Sequence, residues 1–318
     1  MAHVVRYVDP DAAGAGNGTS WADAYTSLDN WNRDEATNLA ADGDYHTVYL
    51  RSSGGSADTT SAGPGAGWTT DPAHYIEVIQ SDAPLNGVWD DSVYRLEISA
   101  SGGVIASLGN RADYIRFHSL QVHLVVSGTA YGYVVTSLVN PPSDVYYDSC
   151  IFRLTDNSSG TSHGFMLADS GATITCYNCI SYANNSSGVG FYAYSGAETT
   201  LHLYNCTSYG WSSGYNRYVY GGITTTVVNC IAANNTYDFY GAITITNCCS
   251  TGGDGTNPQT PAGGDWANEF TDAAHGDFSL VSGGNCIDNG ADDPGTGLYS
   301  DDIIGRARSS PWDIGAFE

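Results

Sequence analysis

Four carboxylates, Asp156, Asp169, Glu198 and Asp238, fall in or near successive loops of this 318-residue chain. Glycoside hydrolysis needs two carboxyl groups about 5 to 9.5 Å apart, one to protonate the leaving oxygen and one to attack or to activate water. Adjacent turns of a stacked structure could supply such a pair, with His163 or His202 beside it. Aspartate also forms turns, and the sequence leaves both readings open. A lyase needs a base instead. The chain has no lysine, so Arg116, Arg153 and Arg217 are the candidates, and arginine rarely gives up its proton. Arg116 stands in the alternating run 114–118, opposite to Ile115 and Phe117, as a solvated strand residue would. No Ser-His-Asp motif and no Walker or Rossmann glycine spacing is visible.

The second chemical signal is aromatic. Tyr192 and Tyr194, then Tyr209, Trp211, Tyr215, Arg217 and Tyr218, are interleaved with Ser, Asn and Gly. Rings left outside by strand alternation suit stacking on sugars or gripping a neighbouring protein, which makes these seven the candidate binding residues. Tyrosine is equally an ordinary strand former.

Both sets sit on a repeat. Cys150, Cys179, Cys206, Cys230 and Cys248 follow Ser149, Asn178, Asn205, Asn229 and Asn247, at spacings of 29, 27, 24 and 18 residues. Three and five positions before each Cys the residues are apolar, Thr225 excepted, which is the period of a strand. Asn is at ease in the left-handed region that a one-residue bend needs. Each copy therefore reads strand, bend, strand. Such units without intervening helices predict a solenoid of parallel strands, with the five Cys and four Asn as ladders along one corner. The crossover rule predicts right-handed winding.

These residues resemble the right-handed parallel β-helix proteins of the pectate-lyase-like superfold, whose bends often carry Asn ladders. That superfold hosts lyases, hydrolases, adhesins and viral spikes, so the resemblance implies an all-β fold and leaves the activity open. Asn17 to Tyr25 look like the N-terminal cap of bacterial and phage β-helix proteins. The segments 276–280, 286–290, 304–308 and 312–318 are similar to the C-terminal part of choice-of-anchor Q proteins.

The expected division is an N-terminal strand and capping helix over 1–45, a β-helix over 46–251, and a linker with a C-terminal cap over 252–318. The helix is expected from Thr19 or Ser20 to Gly43. The stretch 52–71 is expected to project as a loop, and 252–264 to break the repeat. Arg306 or Arg308 is expected to pair with Asp288 or Asp313.

With 34 acidic and 10 basic residues the net charge is −24, which argues against a nucleic-acid partner. Calcium is conceivable at Asp42 with Asp44, Asp292 with Asp293, or Asp301 with Asp302, but none has a complete ligand loop. No metal or other cofactor is expected. Cys176 and Cys179 form a lone C-x-x-C without a second pair to complete a zinc site, and the ladder Cys read as small buried fillers. No apolar run spans a membrane, and residues 1–11 show no export signal.

The function expected is a non-enzymatic surface or virion structural protein, such as a phage capsid decoration, fibre or tail component, with weak glycan adhesion. Its partners would be other virion or surface proteins or a polysaccharide, and a trimer would fit. A polysaccharide lyase or hydrolase and a secreted bacterial adhesin are the alternatives.

Overall fold

A computed structural model describes residues 2–318, except 66, 83–85, 139–142, 169–170, 195–198, 218–221, 242, 295–296, 298–299 and the side chain of 185. The chain winds as a parallel β-helix with three faces. The first face is a nine-stranded sheet. It runs from Ala2–Val8 and Asp44–Leu50 through Asp144–Asp148 and Thr173–Tyr177 to Thr244–Thr246. The second face carries Arg95–Ala100, Gln121–Gly128, Ile151–Ser158 and the first parts of Ile180–Ala193 and Thr207–Arg217. The third carries Val104–Asn110, Tyr131–Ser137, His163–Leu167 and the later parts of those two long strands.

Strand alternation sets the core. Val48, Val78, Phe117, Tyr147, Cys176, Leu203 and Val227 lie in one register row of the first face. All of them are fully buried. The Phe117 and Tyr147 rings stack at 4.9 Å, so identical positions on successive turns pack directly on each other.

The corner between the first two faces explains the repeat. Ser149, Asn178, Asn205, Asn229 and Asn247 have φ between 49° and 55°, and Ser119, one turn earlier with Leu120 in the Cys place, has 57°. Behind each bend the thiol takes over hydrogen bonds that the turn leaves unmade. The Cys206 N–H donates to Cys230 Sγ and the Cys230 N–H to Cys248 Sγ, both at 3.3 Å. The Cys206 and Cys230 thiols donate to the carbonyls of Tyr204 and Val228, also at 3.3 Å. All eight Cys are free and buried, and burial pushes the Cys179, Cys206, Cys230 and Cys248 thiols well above their usual range.

The Asn side chains depart from the expected stack. Three of the four bind the C-terminal segment instead. Asn178 Nδ2 donates to Asp301 O at 2.9 Å, and its Oδ1 accepts from Arg308 Nη2 at 3.0 Å. Asn229 makes a two-way pair with the Ala291 main chain at 2.8 and 2.7 Å. Asn247 Nδ2 reaches Asn289 O at 3.4 Å, while both amide atoms of Asn205 are buried without a partner.

The C-terminal segment therefore runs back along the corner as a strap. Phe270, Phe278, Cys286, Ile303, Ile314 and Phe317 form a second core with Ile151, Ile180 and Ile231 of the solenoid. Arg308 donates to the Asp313 main-chain oxygen at 3.4 Å and to Gly315 O at 3.0 Å. Arg306 donates to Glu318 O at 3.2 Å. Asp288 and Asp313 meet through the Asp288 N–H instead, at 2.7 Å.

The other loop expectations are also revised. Residues 52–71 do not project: Asp58 and Ala62 bridge in parallel to Leu96 and Leu108, continuing the second and third faces. The stretch 252–264 extends the ladder, with Thr256 under Thr246 and Gln259 under Cys249. The N-terminal helix is short, Leu28–Glu35, capped by Ser27 and not by Thr19 or Ser20. Its Leu28 and Trp31 join the main core, as does Tyr25, which is bridged to the strand residue Val8.

Candidate functional site

Outward positions of the second face form one row along the rod: Glu97, His123, Arg153, Tyr182 and Tyr209. The loop before this face brings Trp89 over the row. Its ring lies 5.3 Å from the Arg153 guanidinium and meets the His123 imidazole edge-on at 5.4 Å. Arg153 also lies 6.0 Å from the Tyr182 ring and has no carboxylate within ion-pair distance among the described residues. On the other side the strap closes in. Phe278, almost fully buried, wedges against Tyr182 at 5.5 Å and Tyr209 at 5.2 Å, fixing both rings.

Two adjoining cavities result. One, of about 390 Å³, is lined by Trp89, Arg153, Thr155, Tyr182, Asn184 and Tyr209, with His275 from the strap. The next, of about 400 Å³, continues past Tyr209 to Asn234, Asp265, Trp266 and Asp272. Both share Tyr209, Ala273 and Ala274, so they form one groove. It spans three turns, or about 14 Å at the usual spacing of paired strands.

Beside the groove, behind Thr155, the polar row is ordered. His123 Nδ1 lies 3.3 Å from Glu97 Oε2, and Nε2 lies 2.9 Å from Thr155 Oγ1. An ionised carboxylate only accepts, so Nδ1 carries the proton and Nε2 is left to accept from the Thr155 hydroxyl. Burial, and then the Arg153 charge, hold the His123 imidazole below its usual range. Burial also pushes the Tyr182 phenol up to about 12.

Among the expected binding residues that are described, only Tyr209 lines this groove. Trp211 and Tyr215 are core residues, 2% and 1% exposed. Trp211 Nε1 donates to Ser181 O at 3.1 Å, and Tyr215 Oη donates to Cys206 O at 2.9 Å. Trp211 turns inward because the alternation that leaves Tyr209 outside is broken at Gly210, with φ of 79°, where the strand register shifts, and glycines at 164 and 190 leave the space that the indole occupies. Tyr192 and Tyr194 lie on the third face, with Tyr192 stacked on His163 at 4.9 Å. Arg217 is half-buried there, and Tyr218 lies outside the described residues.

Asp156 and Asp238, the two expected carboxylates that are described, do not converge. Asp156 accepts from Ser158 N and Oγ at 3.0 and 2.8 Å and acts as a turn former. Asp238, whose carboxyl is raised by burial, accepts from Thr251 N at 2.8 Å. Three turns separate the two, about 14 Å along the axis, which exceeds the reach of a hydrolase pair. Asp169 and Glu198 lie outside the described residues. Burial drives the His163 imidazole down to about 4. Arg116 is paired with Glu77 at 3.5 Å and stacked over Tyr75. Among the described residues no group of three or more His, Cys, Asp or Glu is gathered to hold a metal. No helix is long and apolar enough to cross a membrane.

Trp89, Glu97, His123, Thr155 and Trp266 are absent from the expected site. A signal for part of it was present: Arg153, Tyr182 and Tyr209 each follow a corner Cys by three residues, and His123 follows Leu120 likewise. Trp89 and Trp266 come from segments outside the repeat, whose course the period cannot give.

No family model matches the chain, and no curated protein matches it. Among solved structures, pectate lyase Pel9A aligns over 100% of this chain and 96% of its own, at 14% identity and a TM-score of 0.35. The assignment to the parallel β-helix fold rests on the strand pairing described above.

Proposed function

We propose that this protein is a surface or virion structural rod, extracellular in its working location, that holds a glycan chain in the second-face groove. The observation that carries this reading is the row of half-buried rings, Trp89, Tyr182, Tyr209 and Trp266, walling one continuous groove. Rings held rigidly present flat apolar faces to the C–H faces of sugars at small entropic cost, while Thr155, Asn184, Asn234, Asp265 and Asp272 offer polar partners for hydroxyls. A net charge of −24 disfavours nucleic acid. The resemblance of residues 17–25 to phage and bacterial β-helix caps supports the surface or virion setting. The exposed tyrosines of the third face are the surface that a trimer or another virion protein would cover.

A glycan array probed with the wild-type protein and with Tyr182→Ala and Tyr209→Ala tests the reading. Binding should fall by tenfold or more in either variant. Undiminished binding in both, or binding that follows Tyr194 instead, would rule the groove out.

A further inference from the structure

We infer that Glu97, His123 and Thr155 form an acyl-transfer array that removes ester-linked acyl groups from a glycan lying in the groove. The choice of a glycan ester as substrate rests on the glycan-binding reading; the array itself does not.

The geometry carries the inference. A hydroxyl, an imidazole and a carboxylate lie in sequence at 2.9 and 3.3 Å. They come from three successive turns, separated in sequence by 26 and 32 residues. A nucleophile in hydrogen-bond reach of a base that a third group orients is the recurring arrangement of covalent hydrolysis, whatever the fold. The hydroxyl faces a cavity and not the core, because Thr155 lines the 390 Å³ part of the groove. In the same cavity Arg153 holds a guanidinium that lies against the Trp89 and Tyr182 rings. Such a cation is suited to the negative charge that develops on an attacked carbonyl oxygen. A purely structural row would not require an imidazole with one face on a carboxylate and the other on a cavity hydroxyl.

The step balances without any further reagent. The Thr155 Oγ1 lone pair forms a bond to the ester carbonyl carbon as its proton passes to His123 Nε2. The carbonyl–alkoxy bond then breaks, and the sugar hydroxyl leaves with that proton. Water attacks the Thr155 ester in the same way, its proton again taken by His123, and the free carboxylic acid departs as Thr155 regains its hydrogen. Glu97 touches no reacting atom; it is a positioning residue that holds the imidazole in the Nδ1–H form. Burial, and then the Arg153 charge, lower the His123 imidazole, in the direction that leaves Nε2 free to accept a proton.

The test uses p-nitrophenyl acetate and an O-acetylated polysaccharide with the full chain, alongside thermal melting of every variant. Wild type should release nitrophenolate and acetate, and a fluorophosphonate should add mass to the peptide containing Thr155. Thr155→Val, which keeps shape, should lose activity by about 100-fold or more, while Thr155→Ser should retain it. Glu97→Gln should lower kcat at least tenfold with KM little changed. The wild-type pH profile should fall only below the ordinary imidazole range, and Glu97→Gln should move that limb.

Absent turnover in a folded wild type, or Thr155→Val as active as wild type, would overturn the array and leave glycan binding standing. Thr155-dependent acetate release with no glycan bound on the array would keep the catalytic inference and remove the glycan reading.

Discussion

The second and third faces are built from the same tyrosine-rich strands, yet they end as different surfaces. Tyr182 and Tyr209 on the second face are half-buried and held by Phe278. Tyr131, Tyr194, Tyr237 and Tyr240 on or beside the third are 41%, 47%, 56% and 56% exposed. The repeat supplies rings to both. What differs is the neighbour: the strap lies against the second face, and the third has no such wall among the described residues. Concavity, and with it the capacity to enclose a ligand, comes from chain outside the repeat.

Removing the wall should break that difference most strongly. Phe278 packs on Tyr182, Tyr209 and Phe270. Phe278→Ala should cost about 3–5 kcal/mol, read as a lower urea midpoint, and should abolish groove binding while leaving the third face unchanged. A cost below about 1 kcal/mol would mean that the wall is only loosely held and the two faces are alike.

The strap's attachment to the corner comes next. Asn178→Ala removes one hydrogen bond from the buried Arg308 Nη2, which also donates to Gly315 O, and one from the Asp301 carbonyl, which also accepts from Arg308 Nε. Hydrogen bonds to a charged group contribute about 1.5–3 kcal/mol. Faster amide exchange across 286–318 should accompany that loss. Asn205→Ala is the control on the same ladder: its amide atoms have no partner to lose. Both share the left-handed backbone, with φ of 54° and 51°. The difference between them therefore isolates the strap contact, and equal costs would deny it.

Acidity probes the same attachment. Burial, with Glu318 and Asp288 nearby and Arg308 opposing them, raises the Asp313 carboxyl to about 6 from the ordinary 3.8. Between those values the folded state binds more protons than the unfolded one, so Asp313 makes stability fall as pH rises from about 4 to 6. Asp313→Asn should remove that slope and gain on the order of 1 kcal/mol at pH 7. Melting temperatures of wild type and variant, compared at pH 4 and pH 7, should differ only at the higher pH. His163, held near 4 by burial, acts in the opposite direction: its contribution is present above about 6.5 and is lost as pH falls toward 4.

How much of this was legible follows from where the period holds. The Asn-Cys phrase gave the parallel coil and the corner, because a one-residue bend in the left-handed region admits few residue types. Counting three residues past each corner Cys would also have found Arg153, Tyr182 and Tyr209. The inward turn of Trp211 and Tyr215 was hidden, because the long strands shift register between Tyr182 and Val189. Parity counted from the corner is lost across such an irregularity. The strap was illegible for another reason: Asn178 and Arg308 are 130 residues apart, and nothing local in either segment names the other.

The smallest effect belongs to the third face and is the sharpest control on the comparison. Tyr240 is 56% exposed, and its ring meets that of Tyr237 at 5.7 Å. An exposed ring of this kind removes little apolar area from water in the free chain, so Tyr240→Ala should change stability by less than about 0.5 kcal/mol. It should also leave glycan binding in the groove intact, since Tyr240 pairs in register with Asn216 on the opposite side of the strand turn from Tyr209. Sedimentation of the variant beside wild type completes the test. If the third face joins copies of the rod, Tyr240→Ala should shift wild-type oligomers toward monomer while its melting curve at low concentration stays the same. A variant that melts several degrees lower as a monomer would instead mean that Tyr240 is packed within the chain, and the contrast between a walled face and an open one would fail.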